Sequence, residues 1–83
     1  MTTSSEIWTI YIKEDCNYCT MAKAELLRLK VPFRLVKRNK VTEKELWEKL
    51  SGPTSWTYPQ IFNEKDESIG GFNDLLDYTE QMD

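Results

Sequence analysis

The chain has 83 residues, with 11 lysine and arginine side chains against 14 aspartate and glutamate side chains, and its formal net charge is −3. This length predicts one domain over residues 1–83, and the acidic balance argues against nucleic acid as a partner. No segment is apolar over the length that a membrane span needs, and the first residues lack the pattern of a signal peptide. We therefore expect a cytoplasmic monomer with no membrane partner, whose cysteines work in a reducing compartment.

The positive charge is concentrated in the first half of the chain. Residues 1–40 hold eight lysine and arginine side chains and four acidic ones, whereas residues 41–83 hold three and ten. A basic first half could attract a small anionic ligand, and the alternative is that these charges are solvated helix faces.

The first predicted elements are a strand, a helix and a second strand. Residues 7–12 are a run of β-branched and aromatic side chains, which is typical of a buried strand. Four apolar side chains then recur at helical spacing and would form the inner face of a helix. They are Tyr18, Ala22, Leu26 and Leu29. Pro32 closes this helix and residues 33–36 form the next strand, so a parallel pair with a right-handed crossover is expected.

A second helix is predicted to begin with a capping box formed by Thr42 and Glu45. Val41 and Leu46 have the spacing of the hydrophobic staple that accompanies such a box. The buried face of this helix would consist of Leu46, Trp47 and Leu50. The Gly-Pro pair at 52–53 would end it.

The last third of the chain predicts a hairpin and a third helix. Residues 60–62 and 67–69 are predicted as short strands on either side of the polar turn 63–66, which is typical of a hairpin. Two glycines at 70–71 precede a helix with Leu75, Leu76 and Tyr78 on its inner side. The order βαβ, α, ββα predicts an α/β fold in which a four-stranded mixed sheet carries three helices on its two faces.

The two cysteines lie between the first strand and the first helix. Cys16 would occupy the helix N-terminus, where unpaired N–H groups and the positive end of the dipole favour an anion. In a C-x-x-C motif there, the thiol pKa falls from about 8.5 to roughly 3.5–7.5, and the nearby Lys13 acts in the same direction. Cys19 is close enough to form a disulfide with Cys16. The motif predicts dithiol–disulfide exchange, with Cys16 attacking and Cys19 resolving.

Other interpretations of the C-x-x-C motif remain open. A structural zinc site usually needs four cysteine or histidine ligands. The chain has two cysteines and no histidine, so no metal is expected in one chain. Two chains could share a metal or an iron–sulfur cluster, and the cysteines could also be a chance pair in the core.

Three segments resemble the glutaredoxin family. They are K-E-D-C-N-Y-C-T-M-A-K at 13–23, T-Y-P-Q-I-F at 57–62 and G-G-F-N-D-L at 70–75. The matching family patterns are K-x-x-C-P-Y-C-x-x-A-K, T-V-P-x-x-F and G-G-x-x-D-L, in the same order. The resemblance extends over most of the chain from residue 7 onward, and it implies the thioredoxin fold with glutathione as reductant and co-substrate.

The resemblance also implies a glutathione site. Its residues would be Lys13, Tyr18, Thr57, Tyr58, Pro59, Gly71, Asn73 and Asp74. Pro59 is cis in the family, which leaves the backbone of Tyr58 free to pair with the cysteinyl part of glutathione. Asn73 and Asp74 would hold the γ-glutamyl end at a helix N-terminus. Asp74 could also simply cap that helix.

The chain departs from the family pattern in three places. Asn17 replaces the usual proline between the cysteines, which leaves the redox potential open. Trp56 stands where the family often carries an arginine or glutamine that pairs with the glycyl carboxylate, and Lys44 or Lys49 could supply that charge. The segment 52–57 is also longer than in the family.

The function implied by the resemblance is reduction of protein disulfides and of glutathione mixed disulfides, with electrons supplied by glutathione. Its partners would be glutathione and disulfide-bearing client proteins, among which ribonucleotide reductase is one candidate. The alternatives are a redoxin that takes electrons from a thioredoxin reductase, and a dimeric [2Fe–2S] carrier that uses Cys16 of each chain.

Overall fold

The computed structural model describes residues 7–82, which form four strands and three helices in the predicted order. Their bounds are β1 Trp8–Ile12, α1 Asn17–Arg28, β2 Phe33–Lys37, α2 Lys40–Lys49, β3 Gln60–Phe62, β4 Ser68–Gly70 and α3 Phe72–Met82. Within these residues, no helix combines the length and the apolar character needed to cross a membrane.

The strands form one mixed sheet in the order β2-β1-β3-β4, which confirms the predicted sheet. β1 runs parallel to β2, with Ile10 opposite Leu35, and antiparallel to β3, with Ile10 opposite Ile61. All five residues of β1 are buried. A central strand covered on both faces needs apolar side chains on both, and the apolar and aromatic residues of β1, interrupted only by Thr9, meet that need.

Helices cover both faces of the sheet, as predicted. On one face, α1 and α3 enclose a core cluster, and on the other α2 packs over a smaller one. The buried members of the first cluster are Trp8, Ile10, Ile12, Cys19, Ala22, Leu26, Ile61 and Leu75. Those of the second are Tyr11, Leu46 and Phe62. The alternation of Ile10 and Tyr11 between the two clusters follows from the period of two in a strand.

The predicted start of α2 is wrong. The N-cap is Asn39, whose side-chain oxygen accepts a hydrogen bond from the Thr42 N–H at 2.9 Å. The Thr42 hydroxyl accepts one from the Asn39 N–H at 2.8 Å, so the capping box pairs Asn39 with Thr42 instead of Thr42 with Glu45. The helix therefore begins before Thr42. Val41 lies in its first turn and is 67% exposed, so it forms no hydrophobic staple.

Two aromatic side chains that were predicted to pack inward are exposed. Tyr18 is 56% exposed, because the inner face of α1 consists of Cys19, Ala22 and Leu26. Trp47 is 44% exposed, and its Nε1 donates a hydrogen bond to the Pro53 carbonyl oxygen at 3.1 Å. Its indole thus covers the turn after α2, where Gly52 has a φ of +68°.

Candidate active site at Cys16 and Cys19

Cys16 is the N-cap residue of α1, as the sequence predicts. Its backbone is extended, with φ −119° and ψ 104°, and its sulfur accepts a hydrogen bond from the Cys19 N–H at 3.1 Å. The two cysteines are joined by a disulfide, and their Cα atoms are 5.2 Å apart. Cys16 is partly exposed whereas Cys19 is 2% exposed. Only the Cys16 sulfur can therefore meet a second molecule without a rearrangement of the helix.

The turn before Cys16 directs the chain from the central strand into α1. Lys13, Glu14 and Asp15 are all exposed. Asp15 has a φ of +55°, the left-handed region that aspartate tolerates better than most residues. The polar turn therefore positions Cys16 directly beyond the end of the buried strand.

A cis peptide bond lies opposite the disulfide. The Tyr58–Pro59 bond is cis, as the resemblance implied, and Pro59 is buried just before β3. The Cys16 sulfur lies 3.7 Å from the Tyr58 carbonyl oxygen. In the dithiol form, the Cys16 S–H could donate to that oxygen, since a thiol is a weak donor.

Two hollows flank the disulfide and share Tyr18, Thr57 and Tyr58. The first, which we call the disulfide cleft, has a volume of about 690 Å³ and is also lined by Cys16 and Lys13. The second, which we call the α3 hollow, has about 400 Å³ and lies over the start of α3. Its further lining includes Pro59, Gly70, Gly71, Phe72, Asn73 and Asp74. All eight residues of the implied glutathione site thus line one hollow or the other.

Asp74 shapes the α3 hollow by capping its helix. As the third residue of α3, it accepts a hydrogen bond from the Gly71 N–H through Oδ2 at 3.0 Å. This is the returning half of a capping box. Gly70 has a φ of +112°, and a Cβ there would collide with the Asp74 carboxylate. The glycine therefore lets the carboxylate lie across the start of the helix.

Sequence reasoning named Lys13 but missed the second cation of the disulfide cleft, which is Arg38. Its backbone N–H donates to the Ile12 carbonyl oxygen at 2.8 Å, and its Nε donates to Glu43 Oε2 at 2.6 Å. The hydrogen bond with Glu43 and the negative charge of that carboxylate raise the pKa of Arg38 above its ordinary value. Both Arg38 and Glu43 line the cleft. The signal was available, because parallel strands end at the same edge of a sheet and Arg38 directly follows β2.

The expectation that Lys44 or Lys49 supplies this charge is wrong. Neither residue lines the disulfide cleft. Lys49 forms an ion pair with Asp66, and its ammonium lies 4.4 Å from the centre of the Phe62 ring. It therefore belongs to the cover of the α2-side core.

Trp56, which replaces the family's arginine or glutamine, lines the cleft but is also a core residue. Its ring packs against the cluster of Tyr11, Leu46 and Phe62. Its Nε1 is buried and has no hydrogen-bond partner within residues 7–82. The position thus contributes apolar contact instead of charge.

The comparisons with known proteins agree with this geometry. The glutaredoxin family model matches residues 8–67. The chain belongs to the glutaredoxin family. No curated protein sequence gives a significant match to it. The predicted family and its thioredoxin-like α/β fold are thereby confirmed.

Solved glutaredoxin structures resemble it over nearly their whole length. Glutaredoxin 1 from Francisella tularensis, complexed with cacodylate, is 27% identical with a TM-score of 0.73, covering 92% of this chain and 94% of that one. Reduced Escherichia coli glutaredoxin is 26% identical with a TM-score of 0.74, covering 90% and 94%. The glutaredoxin from Brucella melitensis is 29% identical with a TM-score of 0.71, covering 96% and 86%.

As a glutaredoxin, the chain is a thiol–disulfide oxidoreductase. The family generally uses glutathione as its reductant and acts on proteins that carry disulfides. These general properties agree with an N-cap cysteine that is open to a cleft on one side and bonded to a buried cysteine on the other.

Proposed function

We propose that this glutaredoxin uses glutathione to reduce protein disulfides and glutathione mixed disulfides, with Cys16 as the attacking thiol and Cys19 as the resolving one. The observation that carries the proposal is the convergence of all eight implied glutathione-binding residues on the two hollows beside the Cys16 sulfur. Its setting would be a single domain over residues 1–83, working as a monomer in the cytoplasm on clients such as a ribonucleotide reductase. A reducing compartment is the one in which such a thiol pair can cycle.

The first step is attack by the Cys16 thiolate on a sulfur of the substrate disulfide. The Cys19 N–H, which points at the Cys16 sulfur, and the positive end of α1 favour the thiolate over the thiol. One S–S bond forms as another breaks, and the departing sulfur takes a proton from solvent. Cys16 is then linked to the substrate.

The mixed disulfide is resolved in one of two ways. With a protein client, Cys19 attacks the Cys16 sulfur, releases the client as a dithiol and leaves the Cys16–Cys19 disulfide. With a glutathione mixed disulfide, Cys16 takes the glutathionyl group and a second glutathione removes it as glutathione disulfide. The second route needs only Cys16, so substitution of Cys19 separates the two.

The charges of the hollows suit the three ionised groups of glutathione. The ammonium of the γ-glutamyl end would meet the Asp74 carboxylate, and its carboxylate would lie near the start of α3. The glycyl carboxylate would meet Lys13 and Arg38 in the disulfide cleft. The Arg38 Nε–H donates to Glu43. A guanidinium carries five N–H donors, so further donors of Arg38 can bind a ligand.

The test is an NADPH-coupled assay with glutathione and glutathione reductase. Its two substrates are the mixed disulfide of glutathione with 2-mercaptoethanol and a protein disulfide. Cys16→Ser should abolish both reactions, whereas Cys19→Ser should lose the protein disulfide reaction and keep the other. Thr20→Ser, on the same exposed turn of α1, is the matched control and should keep both.

Two results would contradict the proposal. If Cys16→Ser stayed active while Cys19→Ser was inactive, the roles of the two thiols would be reversed. If glutathione failed as reductant while a thioredoxin reductase reduced the protein, the glutathione site would be wrong.

A further inference from the structure

A third hollow opens beside the disulfide cleft, where β1 and β2 end. It has a volume of about 760 Å³ and shares Lys13, Asp15, Arg38 and Glu43 with the cleft. Its far side is formed by Lys37 and Lys40. The two hollows therefore make one continuous depression that starts at Cys16 and extends over the connection between β2 and α2.

This third hollow, which we call the basic hollow, has more cationic than acidic side chains in its lining, although the chain as a whole is acidic. Four of its lining side chains are cationic, namely Lys13, Lys37, Arg38 and Lys40, and three are acidic, namely Glu14, Asp15 and Glu43. Glu43 is already paired with Arg38. Lys37 and Lys40 are exposed and have no ion-pair partner among residues 7–82. Glu14 and Asp15 also form no ion pair among these residues, so the lining carries one more positive than negative charge, and an anionic partner would pair with the Lys37 and Lys40 ammonium groups.

The basic hollow overlaps the proposed glutathione site only at Lys13 and Arg38. None of the residues beside the cis bond lines it, since Tyr18, Tyr58 and Pro59 belong to the other two hollows. Glutathione would extend from the start of α3 past Cys16 to Lys13 and Arg38, and neither Lys37 nor Lys40 lines the two hollows that would hold it. A client protein differs from glutathione because its chain continues on both sides of the cysteine that is attacked. On one side that chain would pass over the β2–α2 connection, where Lys37 and Lys40 line the hollow.

We propose that the basic hollow receives an acidic polypeptide segment that adjoins the disulfide of the client protein. The segment would place its carboxylates against Lys37 and Lys40 while its disulfide meets the Cys16 sulfur. This inference deepens the proposed function and rests on Cys16 as the attacking thiol, but not on the use of glutathione.

The chemistry on such a client needs no further reagent. The reduced protein supplies two electrons: Cys16 attacks the client disulfide, Cys19 displaces the client from Cys16, and the Cys16–Cys19 disulfide forms as the client disulfide becomes two thiols. The two thiol protons of the protein balance the two that the client gains.

The test uses prereduced protein in single-turnover reactions, so that glutathione is absent. Two synthetic peptides carry the same disulfide, one flanked by aspartate and glutamate and the other by lysine. The double variant Lys37→Gln/Lys40→Gln is compared with Lys44→Gln/Lys65→Gln, which removes the same charge from exposed positions outside the hollow.

The unaltered protein should reduce the acidic peptide faster than the basic one, and added salt should shrink the difference. The Lys37→Gln/Lys40→Gln variant should lose about fivefold in rate on the acidic peptide, the size expected for exposed charge contacts. Its rate on the basic peptide should not fall. The control variant should keep the preference for the acidic peptide.

The proposal is overturned if the two peptides react equally, or if the control variant loses as much as the test variant, which would make net charge the cause. The glutathione proposal is tested apart, with the glutathione mixed disulfide as substrate of the same proteins. Rapid reduction of the acidic peptide without any use of glutathione would support the basic hollow and refute the glutathione site. Use of glutathione without a preference for the acidic peptide would support the glutathione site and refute the basic hollow.

Discussion

Substitution of Arg38 by glutamine tests whether this residue holds the glycyl carboxylate of glutathione. Arg38 lines the disulfide cleft with Lys13, and its Nε is fixed by Glu43 at 2.6 Å. We expect Arg38→Gln to raise the KM for glutathione and to leave kcat unchanged, because the guanidinium would bind the substrate without touching the reacting sulfur atoms.

The size of the effect follows from exposure. The side chain of Arg38 is 55% exposed and that of Glu43 is 36% exposed, so solvent screens any contact that they make. An exposed charge contact is worth at most about 1 kcal/mol, which corresponds to roughly a fivefold change in affinity. Glu43→Gln should change KM in the opposite direction by a smaller factor, because it removes the carboxylate that competes with glutathione for Arg38.

The assay is the coupled NADPH reaction at low salt, with the concentration of glutathione varied at a fixed level of mixed disulfide. Arg34→Gln is the matched control, since Arg34 lies on β2 outside the cleft and donates to the Thr9 hydroxyl at 3.2 Å. Melting curves must show that each variant is folded. An unchanged KM in Arg38→Gln, or an equal rise in Arg34→Gln, would refute the reasoning.

Three further predictions concern the thiol, a glycine and an ion pair. Alkylation of the reduced protein against pH should show one thiol that reacts well below the ordinary pKa of about 8.5, and two thiols near that value would contradict the N-cap argument. Gly70→Ala should cost about 1–3 kcal/mol in urea unfolding, because φ is +112° and the new Cβ meets Asp74, and an unchanged midpoint would contradict it. The Arg28 hydrogen bond holds the pKa of Glu25 below its usual value, so this pair stabilises the fold at neutral pH and stops doing so as pH falls through the lowered pKa. Glu25→Gln should therefore lower stability at pH 7 by about 0.5 kcal/mol or less and have no effect in acid, where a pH-independent loss would contradict the assignment.

The elements of the fold were predictable because each has a characteristic pattern in its own segment of the sequence. The apolar run of β1 could only be a strand covered on both faces, and the polar turn before Cys16 marked the change to a helix. Two glycines at 70–71 marked the start of α3, where Gly70 adopts a positive φ. Cys16 as N-cap followed directly from its position between strand and helix.

The start of α2 was not predictable from local pattern. Both Asn39 and Thr42 are good N-cap residues, so the sequence allows two helix starts. The choice depends on a tertiary contact, because the Thr42 hydroxyl also donates to the Lys37 carbonyl oxygen at 2.9 Å. This bond ties the first turn of α2 to the end of β2 and leaves Asn39 as the cap. Val41 then points to solvent, which no reading of the segment alone would have found.

Periodicity also placed two aromatic side chains on the wrong side. Tyr18 and Cys19 both fit a helical repeat with Ala22 and Leu26, at a spacing of four and three residues from Ala22, and the structure buries Cys19 and exposes Tyr18. Trp47 is adjacent to Leu46, and only one of the two can face the sheet. Leu46 is fully buried there, so the indole lies over the turn after α2.

Trp56 and Arg38 together account for the departure of the cleft from the family pattern. Full burial of an aromatic side chain removes about 150–250 Å² from water, worth roughly 4–6 kcal/mol at 25 cal/mol per Å², and Trp56, which is partly buried against the α2-side core, gains a part of this. The orphaned indole N–H offsets about 1–3 kcal/mol of that gain. A residue held in this way cannot also present a charge to a ligand. Because β1 and β2 are parallel, the first residue beyond β2 reaches the same edge of the sheet as the cysteine motif beyond β1. Arg38 occupies that place, so the cleft has a cation from the end of β2 although Trp56 replaces the family's arginine or glutamine, and the fold is unchanged.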